Sequence, residues 1–188
     1  MSKLILGFSG MPGAGKGTAT KYIQDRYGAS MFRFSTVLSD CVKRISLPAS
    51  RENLIKMSEA LRKYFGEDIL AYVVEKDAVG DDSDIVAIDG IRRLQDLAAL
   101  EPIPYFKLIA ITAPPEVRFK RLTGRGEHEN ETEMTWEQFM KEEQASTEVT
   151  IPPVLARATE TVDNSGDLAS LQAQLDALMA KYDKQPKV

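Results

Sequence analysis

The sequence predicts a three-layer α/β/α fold around a central, mainly parallel sheet of five strands. Short apolar segments alternate with longer segments of helical character, and a glycine-rich loop joins the first apolar segment to the first helical one. Segments that alternate in this order form parallel sheets that are covered by helices on both faces. No internal repeat and no low-complexity stretch interrupts the alternation.

Five segments have the apolar character of strands that are buried in a parallel sheet. They are predicted over residues 4–9, 31–34, 84–89, 105–112 and 159–162. The first, Leu4 to Ser9, ends directly at the glycine-rich loop, and the third contains an unbroken apolar run from Ile85 to Ile88. Apolar runs as short as these suit strands better than helices.

Helical segments fill the intervals between the predicted strands. They are predicted over residues 16–27, 36–45, 50–65, 69–79, 114–122, 135–147 and 167–182. Gly28 suits the C′ position that ends the first helix, Ser50 suits an N-cap, and Thr135 with Gln138 resembles a capping box. Residues 123–135 are polar and glycine-bearing, and we expect them to form a mobile surface loop.

The composition is that of a soluble globular protein with one domain, residues 1–188, because 43% of the residues are hydrophobic and 28% are charged. The single cysteine, Cys41, excludes an intramolecular disulfide. A net charge of −4 gives no general attraction to nucleic acid or to anionic membranes. No apolar run is long enough to span a bilayer. We therefore expect a cytoplasmic protein with no nucleic-acid or membrane partner, and its oligomeric state is left open.

A phosphate-binding loop follows the first predicted strand. Residues 10–18, Gly-Met-Pro-Gly-Ala-Gly-Lys-Gly-Thr, match the P-loop pattern G-x-x-x-x-G-K between a strand and a helix. Glycines let backbone N–H groups converge on phosphate oxygens, the N-terminus of the next helix attracts the anion, and Lys16 supplies a mobile positive charge. The predicted nucleotide contacts in this loop are Gly10, Pro12, Gly13, Ala14, Gly15, Lys16, Gly17 and Thr18.

An acidic and a basic residue follow the third predicted strand, in the segment Asp89-Gly90-Ile91-Arg92. Ligands of parallel α/β sheets bind beyond the carboxyl ends of the strands. Asp89 is therefore a candidate to hold Mg²⁺ through water, and the Arg92 guanidinium is a candidate to bind a phosphate. A surface turn that contains a salt bridge is the alternative interpretation.

Further arginines recur at helical spacings. Arg118, Arg121 and Arg125 lie three and four residues apart and share one helix face beside the polar loop. Arg51 and Arg62 are eleven residues apart, about three helical turns, and so point the same way. Phosphoryl transfer needs positive charge around the transferring oxygens. The alternatives are a solvated basic face for the first set and surface ion pairs for the second.

The Gly-Lys-Gly-Thr ending of the phosphate loop resembles that of the adenylate kinase family. The resemblance implies that ATP is the donor and that Mg²⁺ is held largely through water. The candidate residues for this ion are Asp89, through water, and Thr18. It also implies that Arg121 stacks on the donor base, with residues 164–166 beside that base. The predicted donor-side residues of this later segment are Asn164, Ser165 and Gly166.

The segment from Asp89 to Arg92 and the Arg-x-x-x-Arg pattern of Arg121 and Arg125 are similar to segments of the nucleoside monophosphate kinases. This resemblance implies that Arg125 contacts the transferring phosphate and that Arg92 contacts the acceptor phosphate. It also implies an acceptor-binding helical region over residues 35–80 and a lid over residues 123–135. The predicted acceptor contacts are Ser35, Thr36, Arg51, Arg62 and Arg92, and the predicted catalytic residues are Lys16, Arg92, Arg121 and Arg125.

The whole chain also resembles small nucleotide kinase-like proteins of archaeal type, described as adenylate kinase-like or dephospho-CoA kinase-like. We therefore expect a nucleoside monophosphate kinase that phosphorylates a small phosphorylated acceptor such as AMP or a deoxynucleotide. A dephospho-CoA kinase-like enzyme is one alternative, for which Asp40 is the candidate base. A nucleotide-binding switch with slow ATPase activity is the other, because residues 141–144, Lys-Glu-Glu-Gln, lack an arginine that relatives often carry.

Overall fold

The central sheet contains five strands, all parallel. The computed structural model describes residues 3–125, 133–145 and 148–187. The strands are β1 (Leu4–Ser9), β2 (Ser30–Arg33), β3 (Ile85–Asp89), β4 (Phe106–Thr112) and β5 (Glu160–Asp163). They lie in the order β2-β3-β1-β4-β5, and each neighbouring pair is parallel. The predicted three-layer α/β/α fold with a five-stranded sheet is confirmed.

Helices connect the strands and cover both faces of the sheet. They are α1 (Lys16–Tyr27), α2 (Phe34–Arg44), α3 (Arg51–Phe65), α4 (Ile69–Gly80), α5 (Leu94–Leu97), α6 (Pro115–Arg125), α7 (Trp136–Glu142), α8 (Ile151–Leu155) and α9 (Leu168–Lys181). Three predicted end signals are confirmed. Gly28 ends α1 in the left-handed conformation, Ser50 Oγ accepts the Asn53 N–H at the start of α3, and Thr135 and Gln138 form the capping box of α7.

The hydrophobic core has two parts, one on each face of the sheet. Successive residues of a strand point to opposite faces, and β1 follows this rule. Leu6 and Phe8 are buried with Leu175 of α9 on one face, whereas Ile5 is buried with Leu70 of α4 on the other. Both faces of β1 are covered, which suits its apolar residues from Leu4 to Phe8. The phosphate loop begins at the carboxyl end of this strand, at the edge of the sheet.

The structure corrects several predicted boundaries. The predicted surface loop begins too early, because α6 continues to Arg125 and the Thr123 hydroxyl donates to the Phe119 carbonyl over 3.1 Å inside that helix. The helix after the loop is shorter than predicted, since α7 ends at Glu142. Most of the predicted lid, residues 126–132, lies outside the described residues, as do residues 146 and 147.

Two short helices, α5 and α8, were not expected from the pattern of the sequence. Each spans four or five residues, too few to show a helical period. Asp96 starts α5 by accepting the N–H groups of Arg92 and Arg93 at 3.2 and 3.1 Å. Within the described residues, no helix is both long enough and apolar enough to cross a membrane.

Candidate nucleotide-binding site

The phosphate loop lies between β1 and α1 in a conformation that requires glycine. Gly13 and Gly15 have φ values of 75° and 98°, in the left-handed region. A Cβ at Gly13 would lie 2.7 Å from the Arg118 carbonyl oxygen, and one at Gly10 would lie 2.5 Å from the Ile111 carbonyl oxygen. The loop therefore packs closely against β4 and α6. Its backbone is held where α1 begins, and the N–H groups of a helix start can bind an anion.

The Lys16 side chain folds back over this loop. Its Nζ donates to the Gly10 carbonyl at 2.7 Å and to the Met11 carbonyl at 3.3 Å. The ammonium group is thereby kept at the loop whose N–H groups are candidates to bind phosphate. A phosphate oxygen is a stronger acceptor for an ammonium than a neutral carbonyl, so these two hydrogen bonds can be exchanged for a bound anion.

The loop after β5 braces the phosphate loop from the side. The buried Asn164 donates from Nδ2 to the Ala14 carbonyl at 2.8 Å, and its backbone N–H donates to the Thr112 carbonyl at 2.7 Å. A Cβ at Gly15 would overlap the Asn164 amide. Ser165 is exposed, and its N–H donates to Asp163. Asn164, the first residue of the predicted donor-base segment, thus lies against the phosphate loop, where its side-chain amide is bonded to the Ala14 carbonyl.

The three arginines of α6 have different surroundings. Arg121 donates from Nη2 to the Gly166 carbonyl at 3.1 Å, and its buried Nη1 has no hydrogen-bond partner among the described residues. Arg118 is 4% exposed and is paired with Glu143. Arg125 belongs to α6, but its side chain lies outside the described residues. Arg121 is therefore the arginine that the structure brings next to the segment predicted to contact the donor base.

Arg118 joins three parts of the site. Its Nε donates to the Ala113 carbonyl at 3.0 Å, and its Nη1 donates both to the Pro12 carbonyl at 3.4 Å and to Glu143 just after α7. Its guanidinium also lies 5.4 Å from the centre of the Phe139 ring. The charge of Arg118 is compensated by Glu143, so this side chain holds the phosphate loop, α6 and the α7 region together.

The turn after β3 brings Asp89 and Arg92 to the same edge of the sheet as the phosphate loop. Gly90 has a φ of 90°, and the Ser9 hydroxyl donates to the Ile91 carbonyl at 2.8 Å. The Asp89 carboxylate is paired with Arg33 Nε at 3.3 Å, and Arg92 Nη1 is paired with Glu148 at 2.8 Å. The predicted pair of residues is therefore present at this edge, and each already has a charged partner.

Arg62 and Arg51 lie in contrasting surroundings, although both belong to α3. Arg62 is 7% exposed, and its Nη2 is 2.7 Å from Asp96, whose side chain is buried as well. Arg62 also donates to the Glu67 carbonyl. Its guanidinium is engaged in the protein interior, where it connects α3 to the turn after β3. Arg51 is exposed in the first turn of α3.

An open pocket lies between the start of α1 and the end of β2. Its volume is about 370 Å³. It is lined by Gly17, Lys21, Gln24, Met31, Arg33 and Thr36. Thr36 was predicted to contact the acceptor, and Ser35 is its exposed neighbour. Lys21, Gln24 and Arg33 were not predicted. For Arg33 the signal was its position at the end of a strand, which the register places beside Asp89.

The donor set of this region fits an Mg²⁺ ion that is carried by a nucleotide. No group of three or more acidic, histidine or cysteine side chains suitable for a metal occurs in the described part of the chain. Mg²⁺ at phosphate sites is held by one or two carboxylates together with phosphates and water. Asp89, with 17% of its side chain exposed at the end of β3, supplies one such carboxylate.

Sequence comparisons relate this chain to known proteins. A sequence profile of the AAA domain matches residues 9–139. The chain is 31% identical over 181 residues to a UPF0200 protein of Thermococcus kodakarensis, covering 94% of this chain and 96% of that protein. A UPF0200 protein of Hyperthermus butylicus is 27% identical over 179 residues, covering 95% of each chain.

Two solved structures have the same fold. TT1252 from Thermus thermophilus superposes with a TM-score of 0.65 at 16% identity, covering 96% of this chain and 98% of that one. Shikimate kinase from Bacteroides thetaiotaomicron superposes with a TM-score of 0.56 at 13% identity, with the same coverage. At these identities the likeness shows a shared P-loop kinase-like fold.

Proposed function

Because this chain belongs to the UPF0200 family and carries an AAA domain over residues 9–139, we propose that it is an ATP-dependent phosphotransferase of the nucleoside monophosphate kinase type. It transfers the γ-phosphoryl group of ATP to a small phosphorylated acceptor such as AMP or a deoxynucleotide. The observation that carries the proposal is the phosphate loop, in which the Lys16 ammonium lies 2.7 Å from the Gly10 carbonyl. A loop of this kind binds the β- and γ-phosphates of a nucleoside triphosphate.

On the donor side, the N–H groups at the start of α1 bind the phosphates, and Lys16 exchanges its two loop carbonyls for phosphate oxygens. The hydrogen bond from Arg121 to the Gly166 carbonyl supports a donor-base site between α6 and the loop after β5. Arg121 stacks on the base, since a guanidinium packs well on an aromatic ring. Arg125 contacts the transferring phosphate.

Asp89 and Thr18 are the residues that would hold Mg²⁺, mainly through its water ligands. When bound, this ion neutralises the charge that develops on the phosphate oxygens. Asp89 suits the role because the turn at Gly90 and the hydrogen bond from Ser9 to the Ile91 carbonyl fix the end of β3 beside the phosphate loop.

On the acceptor side, residues 35–80 form the binding region and residues 123–135 form a lid. Thr36 supports this arrangement because it lines the pocket beside the phosphate loop. Arg51 and Arg92 contribute positive charge for the acceptor phosphate. Lid closure would exclude water, so that the γ-phosphoryl group reaches the acceptor rather than a water molecule.

We also propose that the protein acts in the cytoplasm.

The test is ADP formation by purified protein with ATP, Mg²⁺ and a panel of nucleoside monophosphates and dephospho-CoA. An acceptor that raises the rate above the ATP-only rate, with stoichiometric phosphorylated product, supports the proposal. Lys16→Ala should lower that rate about 10²–10³-fold. Lys181→Ala is the matched control, because Lys181 is an exposed lysine at the end of α9 that is paired with Glu160 and belongs to none of the proposed binding regions. Equal activity of a folded Lys16→Ala protein would refute the assigned phosphate site.

A second candidate function is a nucleotide-binding switch with slow ATPase activity. The ion pairs of Arg92 with Glu148 and of Arg118 with Glu143 favour it, because both guanidinium groups are already neutralised by protein carboxylates. This function predicts ATP binding and slow hydrolysis that no acceptor accelerates.

A dephospho-CoA kinase needs a base near the acceptor hydroxyl, and its candidate, Asp40, is exposed on α2.

A further inference from the structure

We infer that the acceptor is a phosphomonoester whose anionic group is bound by Arg33, the last residue of β2. This inference rests on the proposed function and names a residue and a chemical class for its acceptor pocket. Arg33 lines the open pocket of about 370 Å³ between α1 and β2, together with Lys21 and Thr36. The pocket falls within the range of about 300–1,000 Å³ that is usual for small-molecule sites.

The position of Arg33 is fixed by the sheet. Strand register pairs Arg33 of β2 with Asp89 of β3, so the two residues end neighbouring parallel strands side by side. Gly17, in the first turn of α1, lines the same pocket and directly follows Lys16 of the phosphate loop. The pocket therefore borders the segment that is proposed to bind the donor phosphates.

Arg33 differs from the other arginines proposed for the acceptor in that it lines this pocket. Arg62 is buried and paired with the buried carboxylate of Asp96. If its guanidinium moved to a ligand, Asp96 would remain as an uncompensated buried charge. Arg92 has 44% of its side chain exposed, but it is paired with the nearly buried Glu148 at 2.8 Å and does not line the pocket. Arg33 has 51% of its side chain exposed and is held to Asp89 by a single contact of 3.3 Å.

The pair of Arg33 and Asp89 is of the kind that exchanges readily. Arg33 is half exposed, so solvent partly screens its single contact with Asp89, whose side chain is 17% exposed. A guanidinium, in contrast, forms two parallel hydrogen bonds with a phosphate group. An acceptor phosphate would therefore replace Asp89 as the partner of the Arg33 guanidinium. Lys21 adds a second positive charge to the pocket, and it is paired with the exposed Asp25 one turn further along α1.

The chemistry of these groups defines the class of acceptor. Two cationic side chains, the Thr36 hydroxyl and the Gln24 amide offer donors for phosphate and sugar oxygens, and Met31 offers an apolar surface. A neutral nucleoside has no negative charge that could pair with either of these two cations. The pocket is consequently expected to prefer a monophosphate over the corresponding nucleoside, and to lose that preference when Arg33 loses its charge.

The experiment measures binding by isothermal titration calorimetry, so that turnover is not needed. AMP, CMP, GMP, UMP and the four matching nucleosides are titrated into the wild-type, Arg33→Gln, Arg33→Lys and Arg157→Gln proteins. A non-hydrolysable ATP analogue is titrated into the same four proteins. Arg157 is the matched control, because it is also about half exposed and paired with one carboxylate, Glu101, but does not line the pocket.

The inference is supported if Arg33→Gln weakens monophosphate binding by about 10- to 100-fold while Arg157→Gln changes it less than about twofold. Arg33→Lys should lie between the wild type and Arg33→Gln, since it keeps the charge but loses the fork. The fold of each variant is checked by circular dichroism, and the Lys variant serves if the Gln variant does not fold.

Two results would overturn the inference while leaving the proposed donor site intact. One is unchanged monophosphate binding in Arg33→Gln, and the other is a wild-type protein that binds the ATP analogue but no monophosphate. A wild-type protein that fails to bind the ATP analogue would instead overturn the proposed function and this inference with it. The donor arm of the experiment therefore separates the two failures.

Discussion

The side-chain amide of Asn164 donates a hydrogen bond to the Ala14 carbonyl over 2.8 Å, and this bond ties the loop after β5 to the phosphate loop. The two residues are 150 positions apart in the chain. Both are buried, with 5% of Asn164 and 1% of Ala14 exposed. The phosphate loop is consequently supported by the last strand of the sheet and not only by the two elements that flank it.

Asn164→Ala is expected to lower both the stability of the fold and the affinity for the nucleotide donor. The substitution leaves the buried Ala14 carbonyl without its donor, which costs about 1–3 kcal/mol of unfolding free energy. The phosphate loop also loses its lateral support, so the affinity for an ATP analogue should fall. Urea denaturation and calorimetric titration measure the two effects. Ser165→Ala, at the exposed neighbouring position, is the control for stability and should leave the unfolding free energy unchanged.

The sequence predicts the central sheet well, because buried parallel strands are continuously apolar. β1 and α1 have the predicted bounds, since the glycine loop and Gly28 mark their ends. The junction of β2 and α2 is displaced by one or two residues. Arg33 is extended and Phe34 begins the helix, with no capping side chain at this junction in the described chain, so the sequence contains no signal there.

The site is predicted in part, and the missing part is the set of partners. The phosphate loop has a local motif, and residue spacing alone identified it. The partners of the arginines are remote in sequence, because Arg92 pairs with Glu148, 56 residues away, and Arg62 pairs with Asp96, 34 residues away. No spacing rule connects such residues, and only the packing of helices against the sheet brings them together.

Arg62→Leu is expected to lower stability without removing the donor site. Breaking a buried ion pair from one side costs about 3–5 kcal/mol, because the remaining charge has no partner. Here the remaining charge is Asp96, with 3% of its side chain exposed. Urea denaturation should show this loss, and the ATP-analogue affinity should stay within about twofold of the wild type.

A second variant tests the cause of that loss. Arg62→Leu combined with Asp96→Asn removes both charges, and it should recover part of the lost stability while one Asn oxygen still accepts an N–H at the start of α5. Unchanged stability together with a large loss of monophosphate binding in the single variant would instead assign Arg62 to the acceptor.

Stability at alkaline pH is expected to depend on Tyr27 of α1. Its hydroxyl donates to Asp176 of α9 at 2.7 Å, and burial, together with this hydrogen bond, raises the pKa of Tyr27 from 10.0 to about 12. The protonated phenol is thus favoured in the folded protein. Its contribution is fully present below about pH 10 and is lost as the pH rises through about 12.

Tyr27→Phe tests this dependence in urea denaturation at several pH values. Near pH 8 the variant should be less stable by about 1 kcal/mol, the net contribution of one hydrogen bond. Above pH 10 the difference should shrink, because only the wild-type residue ionises on unfolding. Tyr64→Phe, at a residue that is 73% exposed, is the control and should leave the unfolding free energy near pH 8 unchanged. A constant difference across the whole range would contradict the raised pKa.

Arg118 and Glu143 are expected to stabilise the protein as a pair, and Arg118 is expected to support nucleotide binding at the donor site. Arg118→Leu removes the charge opposite Glu143, and it also removes the donor to the Pro12 carbonyl of the phosphate loop. Because Arg118 is 4% exposed, the single variant should lose about 3–5 kcal/mol of unfolding free energy. ATP-analogue binding should weaken as well, since the phosphate loop loses one of its anchors.

A double-mutant cycle separates the ion pair from the other contacts of Arg118. Glu143→Gln alone leaves the buried guanidinium without a carboxylate, whereas Arg118→Leu with Glu143→Gln leaves no charge at all. The coupling free energy between two groups in direct contact is expected to be about 0.5–3 kcal/mol. Strict additivity of the two single variants in urea denaturation would show that the α7 region is held by the Phe119, Trp136 and Phe139 ring contacts rather than by this pair.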